Sequence, residues 1–191
     1  RSSIKDRAFE GSGLSGFTIP EGVTSIGSYA FSHCNNLYTF SLPVTLTTIG
    51  SYAFYECVNL AFVIVPYSVK TIGDYAFASC NYLVSVYLPD TVVNIGSNIF
   101  ASCYYLNKVY CGAIEKPAGW DDDMGYGEGE SSFYWHEKAL FGCETDGEFV
   151  YQLVGNNYKV VGYVGNNRDV VIPSKFKEIE IGRAVQQECR D

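Results

Sequence analysis

LAFVIVPYSVKTIGDYAFASCNY, Leu60 to Tyr82, decides how the rest of the chain is read, because its pattern returns every 23 residues. Leu14, Leu37, Leu60, Leu83 and Leu106 open successive copies, and Pro20, Pro43, Pro66 and Pro89 stand six residues further on. Ile26, Ile49, Ile72 and Ile95 come next, each followed by glycine. Phe31, Phe54, Phe77 and Phe100, then Cys34, Cys57, Cys80 and Cys103, complete the set. A fixed period of this size is the signature of a solenoid, in which no coil buries its apolar face alone and neighbours must stack to share a core.

One copy reads L-x-x-φ-x-φ-P-x-x-φ-x-x-I-G-x-x-A-F-x-x-C-x-x, with φ apolar. The first six residues form a short strand, and alternation sends Phe17/Ile19, Phe40/Leu42, Val63/Val65 and Val86/Leu88 to one face. Proline ends the strand, since it cannot donate to a ladder. Val23, Leu46, Val69 and Val92, with the isoleucine after each, predict a second short extended piece closed by a glycine turn. In A-F-x-x-C-x-x-L the apolar positions are three apart, as in a turn of 3₁₀ or short helix. The expected architecture is a mainly β solenoid: short parallel strands with turns, 3₁₀ or short helical segments on the other side.

The blocks IGSYAFSHCNNL, IGSYAFYECVNL and IGDYAFASCNYL resemble the BspA-like, bacterial-surface class of leucine-rich repeats. A fourth block, IGSNIFASCYYL, departs at Ile99, where alanine is usual. The resemblance covers Leu14 to Cys111 well and the remainder weakly. The asparagine usual after a leucine-rich-repeat strand is missing, with Gly22 and Thr45 among the residues in its place. The backbone groups it would satisfy therefore need other partners. The kinship implies a repeat protein of the cell surface or extracellular space, engaged in adhesion or host interaction.

At 191 residues, 47% hydrophobic and 18% charged, the composition is that of an ordered chain. The formal net charge is −8, of which residues 14–105 carry only −3 (Glu21, Glu56, Asp74 and Asp90 against Lys70). An acidic chain without a basic stripe argues against nucleic acid or anionic membrane as partner. No apolar run approaches the ~18 residues of a membrane span. Arg1 falls in the middle of a repeat, so the chain reads as a piece of a longer protein. No signal peptide is present in it.

Four of the seven cysteines share one repeat position, which predicts a column of buried thiols acting as small apolar fillers. No C-x₂₋₄-C pair suggests a metal, and Cys111 aligns with the inward Leu88. Cys143 and Cys189 have no assigned state. Gly11, Gly13 and Gly16 match G-x-G-x-x-G, but at a repeat junction with no βαβ unit around them, so no nucleotide site is expected.

Four parts follow along the chain. Residues 1–13 are a partial first repeat, and residues 14–111 are four full repeats and a closing strand. Residues 112–147 form a capping segment, with Trp120, Phe133, Tyr134 and Trp135 as candidates to cover the open core. Asp121, Asp122, Asp123, Glu128 and Glu130 lack the spacing of a calcium loop and read as a solvated acidic loop. Residues 148–191 hold a hairpin, EFVYQLV and YKVVGYV around Gly155-Asn156-Asn157, and then DVVIP, the start of a second, degenerate array. The last ten residues are expected to be poorly ordered.

No catalytic constellation emerges. His33 and His136 lack nucleophile and acid partners, and the acids of the array fall at different repeat positions. No Walker loop, H-E-x-x-H or G-x-S-x-G occurs, so neither an enzyme nor a cofactor is expected. Binding falls instead to the outward strand columns: Gly16, Thr39, Phe62, Ser85, Lys108 and Thr18, Ser41, Ile64, Tyr87, Tyr110. From the third coil on, Phe62, Ile64, Tyr87 and Tyr110 make an aromatic and apolar patch, with Lys108 beside them as a further binding candidate. Three readings stay open: a recognition surface for a protein, cross-strand packing without a ligand, or a face covered by residues 112–147 folding back. A non-enzymatic protein-binding module of a larger surface protein is the expected function, with a structural spacer and a polysaccharide-binding accessory domain as alternatives.

Overall fold

The structure, a computed structural model, describes residues 2–120, 139–163, 173, 175–177 and 179–180. Each coil has three walls. The first is the strand after the opening leucine: β2 (Gly16–Thr18), β4 (Thr39–Ser41), β6 (Phe62–Ile64), β8 (Ser85–Leu88) and β10 (Lys108–Cys111). The second ends in the conserved-spacing isoleucine: β1 (Ser2–Ile4), β3 (Val23–Ile26), β5 (Thr48–Ile49), β7 (Thr71–Ile72) and β9 (Asn94–Ile95). These five pair in parallel in the order β1-β3-β5-β7-β9, with Ile26↔Ile49↔Ile72↔Ile95 in register.

The third wall is the A-F-x-x-C segment. It is a run of tight turns, and the described residues contain no helix. Ala30 N donates to Gly27 O (3.3 Å), Ser32 N to Tyr29 O (3.1 Å) and Cys34 N to Phe31 O (3.2 Å). The amides between them reach the next coil: Tyr29 N to Ser51 O (3.0 Å), Phe31 N to Ala53 O (2.8 Å) and His33 N to Tyr55 O (2.7 Å). A helix would turn every amide along its own axis; here every second one stitches coils together. This geometry places two residues per coil in the left-handed region. Tyr29, Tyr52, Tyr75 and Asn98 have φ of 58, 58, 54 and 57°, and His33, Glu56, Ser79 and Ser102 have 59, 56, 58 and 58°. An L-residue pays about 1–2 kcal/mol there, so Ser102→Gly is expected to gain about 0.5–1 kcal/mol after glycine's extra chain entropy. A fall in the denaturation midpoint of that variant would show that side-chain contacts outweigh backbone strain.

The glycine after each isoleucine serves a different end. None of Gly27, Gly50, Gly73 and Gly96 has positive φ, so conformational freedom, the sequence-based expectation, is not the reason. A Cβ on Gly50 would lie 2.7 Å from Gly27 C, 2.8 Å from Ser28 N and 2.9 Å from Gly27 O. Backbone passes backbone too closely for any side chain.

The core is a set of columns. Phe9, Phe31, Phe54, Phe77 and Phe100 stack with ring centroids 5.1, 5.2, 5.3 and 6.3 Å apart. Beside them, Cys34, Cys57, Cys80 and Cys103 each donate Sγ–H to the phenylalanine carbonyl of the preceding coil, at 3.1, 3.2, 3.2 and 3.1 Å. Burial pushes the Cys57 and Cys80 thiols far up and the Cys103 thiol to about 12. Cys111 is also buried in this core. Where asparagine is missing, Thr45 serves: its hydroxyl accepts from Gly22 N (3.0 Å) and donates to Val23 O (2.9 Å).

Trp120 closes the far end. It is 3% exposed, extends the second wall by a parallel bridge to Ile95, and donates Nε1–H to Val92 O at 2.9 Å. Phe133, Tyr134, Trp135, His136, the acidic cluster from Asp121 to Glu130, the DVVI of DVVIP (169–172) and Cys189 lie outside the described residues.

Candidate functional site

The first wall is not one sheet. β2 pairs with β4, and β6, β8 and β10 form a second sheet with β11 (Ala139–Leu140). β4 and β6 adjoin without pairing. Bonds such as Tyr38 N to Ser15 O and Val84 N to Ala61 O, or Ile19 N to Ser41 O and Val65 N to Tyr87 O, link other neighbouring coils. Among the described residues they have no counterpart between the second and third coils. The inward residues change at the step. Coils one and two carry Phe17 and Phe40, whose rings lie 5.8 Å from Phe31 and 4.7 Å from Phe54; the later coils carry Val63, Val86 and Val109. The break in pairing falls where this inward position changes from phenylalanine to valine.

The outward columns run as read: Phe62↔Ser85↔Lys108 and Ile64↔Tyr87↔Tyr110 are in register. Their exposure is not as read. Tyr87 is 0% and Tyr110 6% exposed, Phe62 and Ile64 are half-buried, and only Lys108 of the five is exposed. A second layer covers them: β11 pairs in parallel with β10, and an antiparallel sheet of β12 (Cys143–Thr145), β13 (Phe149–Val154) and β14 (Asn157–Tyr163) lies across the face. Val150, Val161 and Cys143 of this cover pack on Tyr87, Tyr110, Phe62 and Ile64. Tyr110 donates to Val161 O (3.0 Å), and Tyr87, hydrogen-bonded to the Tyr67 hydroxyl at 2.8 Å, reaches Cys143 O (3.3 Å). Burial first, then the bond to Tyr67, holds the Tyr87 phenol far above its ordinary value.

Residues 139–163, mostly beyond the segment expected to fold back, therefore occupy the patch. The cover's opposite face carries Phe149, Tyr151, Tyr158 and Val160, packed against Phe176 and Ile179 of the hairpin β15 (Lys175–Phe176) and β16 (Ile179–Glu180). Apolar residues on both faces of EFVYQLV and YKVVGYV were the visible signal of a sheet sandwiched on two sides. Gly162 sits against the Tyr110 ring, where a Cβ would collide with the ring and hydroxyl. Gly162→Val is expected to lift the cover, raising dye binding to exposed apolar surface and the reactivity of Cys143 while the coils stay folded. Unchanged Cys143 labelling would show that the cover tolerates the bulk.

Where the cover ends, at the step between β4 and β6, a cleft of about 570 Å³ opens. Phe40, Leu42, Phe62, Ile64 and Tyr67 supply its apolar wall, and the Thr145–Gly147 turn its rim. Ser68 lines it too, and the buried Ser68 hydroxyl has no hydrogen-bond partner. Among the described residues of the lining, Asp146 alone is charged. Its Oδ1 accepts from Glu148 N (3.0 Å) and Phe149 N (2.8 Å), and its Oδ2 from the Tyr151 hydroxyl (2.6 Å). Among the described residues no group of three His, Cys, Asp or Glu side chains could hold a metal.

Comparison with known proteins bears first on the coils. The family described as "BspA type Leucine rich repeat region" matches residues 2–116 in six copies. The crystal structure of the T. pallidum leucine-rich-repeat protein TpLRR is 38% identical, with a TM-score of 0.56, and the match covers 56% of this chain and 51% of that one. A leucine-rich-repeat protein from Bacteroides ovatus ATCC 8483 is 26% identical, at TM-score 0.53 over 59% of this chain and 29% of that one. The pneumococcal vaccine antigen PcpA shares the fold at 21% identity and TM-score 0.53, over 73% of this chain and 40% of that one. The chain thus spans about half the length of the first of these or less. No curated protein sequence matches it.

Proposed function

The chain belongs to the BspA-type leucine-rich-repeat family, and from that premise we propose that it is a non-enzymatic protein-binding module of a longer cell-surface or secreted protein. Repeat solenoids of this type act through surfaces that the core leaves over. The observation that carries the reading is the cleft at the step: concave, walled by aromatic and aliphatic side chains, with a few polar groups at its rim. The aromatic patch on coils three to five is internal packing, which leaves the cleft and the small polar strand face of Gly16, Thr18, Thr39 and Ser41 as the open part of this wall.

Geometry weighs against the polysaccharide alternative. Tyr82 and Tyr105 are exposed but stack on each other at 5.5 Å and 6°, and Tyr29, Tyr52 and Tyr75 stack likewise at 4.7 and 4.9 Å. Rings stacked along the solenoid axis turn their edges to solvent, whereas a sugar chain needs flat faces side by side. Probing arrays of extracellular proteins and of glycans with the purified chain tests the reading. Saturable binding to protein spots and none to glycans is expected; silence on both would leave the spacer role, and glycan binding alone would favour the accessory role.

A further inference from the structure

Independently of what the cleft holds, the geometry points to an oxidative modification site on the surface: Tyr82 and Tyr105 are placed to be joined as a dityrosine link between two coils. Tyr82 ends the third coil and Tyr105 the fourth, one full repeat apart, each just before the leucine that opens the next coil. Their ring centroids lie 5.5 Å apart and their planes within 6° of parallel. Tyr82 is 56% and Tyr105 62% exposed. Exposure alone does not choose this pair. Tyr104 is more exposed, at 67%, but has no ring contact among the described residues. Tyr29, Tyr52 and Tyr75 stack closer, at 4.7 and 4.9 Å, but are half-buried, and the Arg7 guanidinium lies over the Tyr29 ring. Tyr67 and Tyr87 meet at 62°, and Tyr87 is fully buried.

The oxidant is hydrogen peroxide acting through a haem peroxidase. Each phenol gives up one electron and its hydroxyl proton, which leaves two tyrosyl radicals. Peroxide takes both electrons and both protons and becomes two waters. A carbon–carbon bond then forms between one ortho carbon of each ring. The hydrogens on those carbons move to the phenol oxygens, so both rings regain aromaticity and the chain is two hydrogens lighter. Exposed side chains change rotamer within picoseconds to nanoseconds, which lets the ortho carbons turn toward each other. Two rings held on one scaffold meet at a far higher effective concentration than rings on separate molecules. The net charge of −8 also keeps copies of the chain apart. The bond therefore forms within one chain and staples coil three to coil four.

The test treats the full chain at low concentration with peroxide and a haem peroxidase, and free tyrosine in a parallel tube shows that the oxidant works. Dityrosine fluorescence is expected in the monomer fraction of a sizing column. Cleavage before aspartate separates Asp74–Pro89 from Asp90–Trp120, so the link is read by mass as these two peptides joined, and fragmentation names the tyrosines. Tyr105→Phe and Tyr82→Phe, which keep the stacked rings and remove one phenol, should each lower the yield of joined peptides at least about tenfold. Tyr104→Phe should leave it unchanged. Loss of the link in Tyr104→Phe, coupling within the Tyr29–Tyr75 column instead, links only between chains, or no link while free tyrosine couples would each overturn the assignment.

Discussion

Phe54→Ala is expected to be the most damaging single truncation in the array, lowering unfolding stability by about 3–5 kcal/mol in guanidinium denaturation. Phe54 is 0% exposed and its ring touches three others: Phe31 at 5.2 Å, Phe77 at 5.3 Å and Phe40 at 4.7 Å. Removing it opens a hole shared by three coils, and coils stiffened by stacked backbone cannot collapse to fill it. The loss spreads further because each coil is held only by its neighbours, so weakening the middle uncouples the two halves. A truncation in the partial first repeat gives the control. Phe9, partly buried in the partial first repeat, touches Phe17 and Phe31 and, among the described residues, has a stacked ring on one side only, so Phe9→Ala should lose less than half as much. Equal losses at the two positions would mean that the rings act independently and the array is not coupled through them.

Gly50→Ala is the second large effect, and its sign is the informative part. An alanine in place of glycine commonly stabilises by about 0.4–1 kcal/mol where the backbone permits it, through the unfolded chain. At Gly50 the φ permits it and the space does not. The methyl would press on Gly27 and Ser28 backbone atoms at 2.7 to 2.9 Å, and those atoms belong to the neighbouring ladder, where Gly50 N itself donates to Ile26 O at 2.8 Å. A loss of about 3 kcal/mol, the upper end for overpacking, is expected in the same denaturation assay. Gly16→Ala serves as comparison, because its Cβ would meet only Thr39, at 3.6 Å from Cγ2 and 3.9 Å from O, and no loss is expected there. If Gly50→Ala melted like the parent, close approach of coils could not be what holds glycine at this position.

These two cases also mark how far the amino-acid pattern could be read. The period, the inward columns and the parallel stacking were legible because one unit repeats, so each inward residue is seen four or five times in the same environment. The reason for the Ile-Gly pair was not, since a glycine wanted for its φ and one wanted for its missing Cβ look alike in a string of letters. The turns on the third wall were half legible. Spacing by three was there, but left-handed residues are usually announced by glycine or asparagine, and here tyrosine, glutamate and serine hold most of those positions.

The strand face shows the opposite limit. Phe62, Ile64, Tyr87 and Tyr110 were correctly placed outward from the coil, but whether outward means solvent depends on a partner sheet distant in sequence. Tyr110 and Val161, joined by a 3.0 Å hydrogen bond, are 51 residues apart. The step between β4 and β6 coincides with a change from phenylalanine to valine at one inner position, a change small in the sequence.

The thiol column gives the molecule an internal clock. A buried thiol whose hydrogen is engaged by a carbonyl is chemically silent until its own coil parts from the one before. One such group per coil means that timed alkylation, read by mass at each cysteine, would turn the order in which the stack peels apart into a sequence of masses, without any label being engineered into the chain.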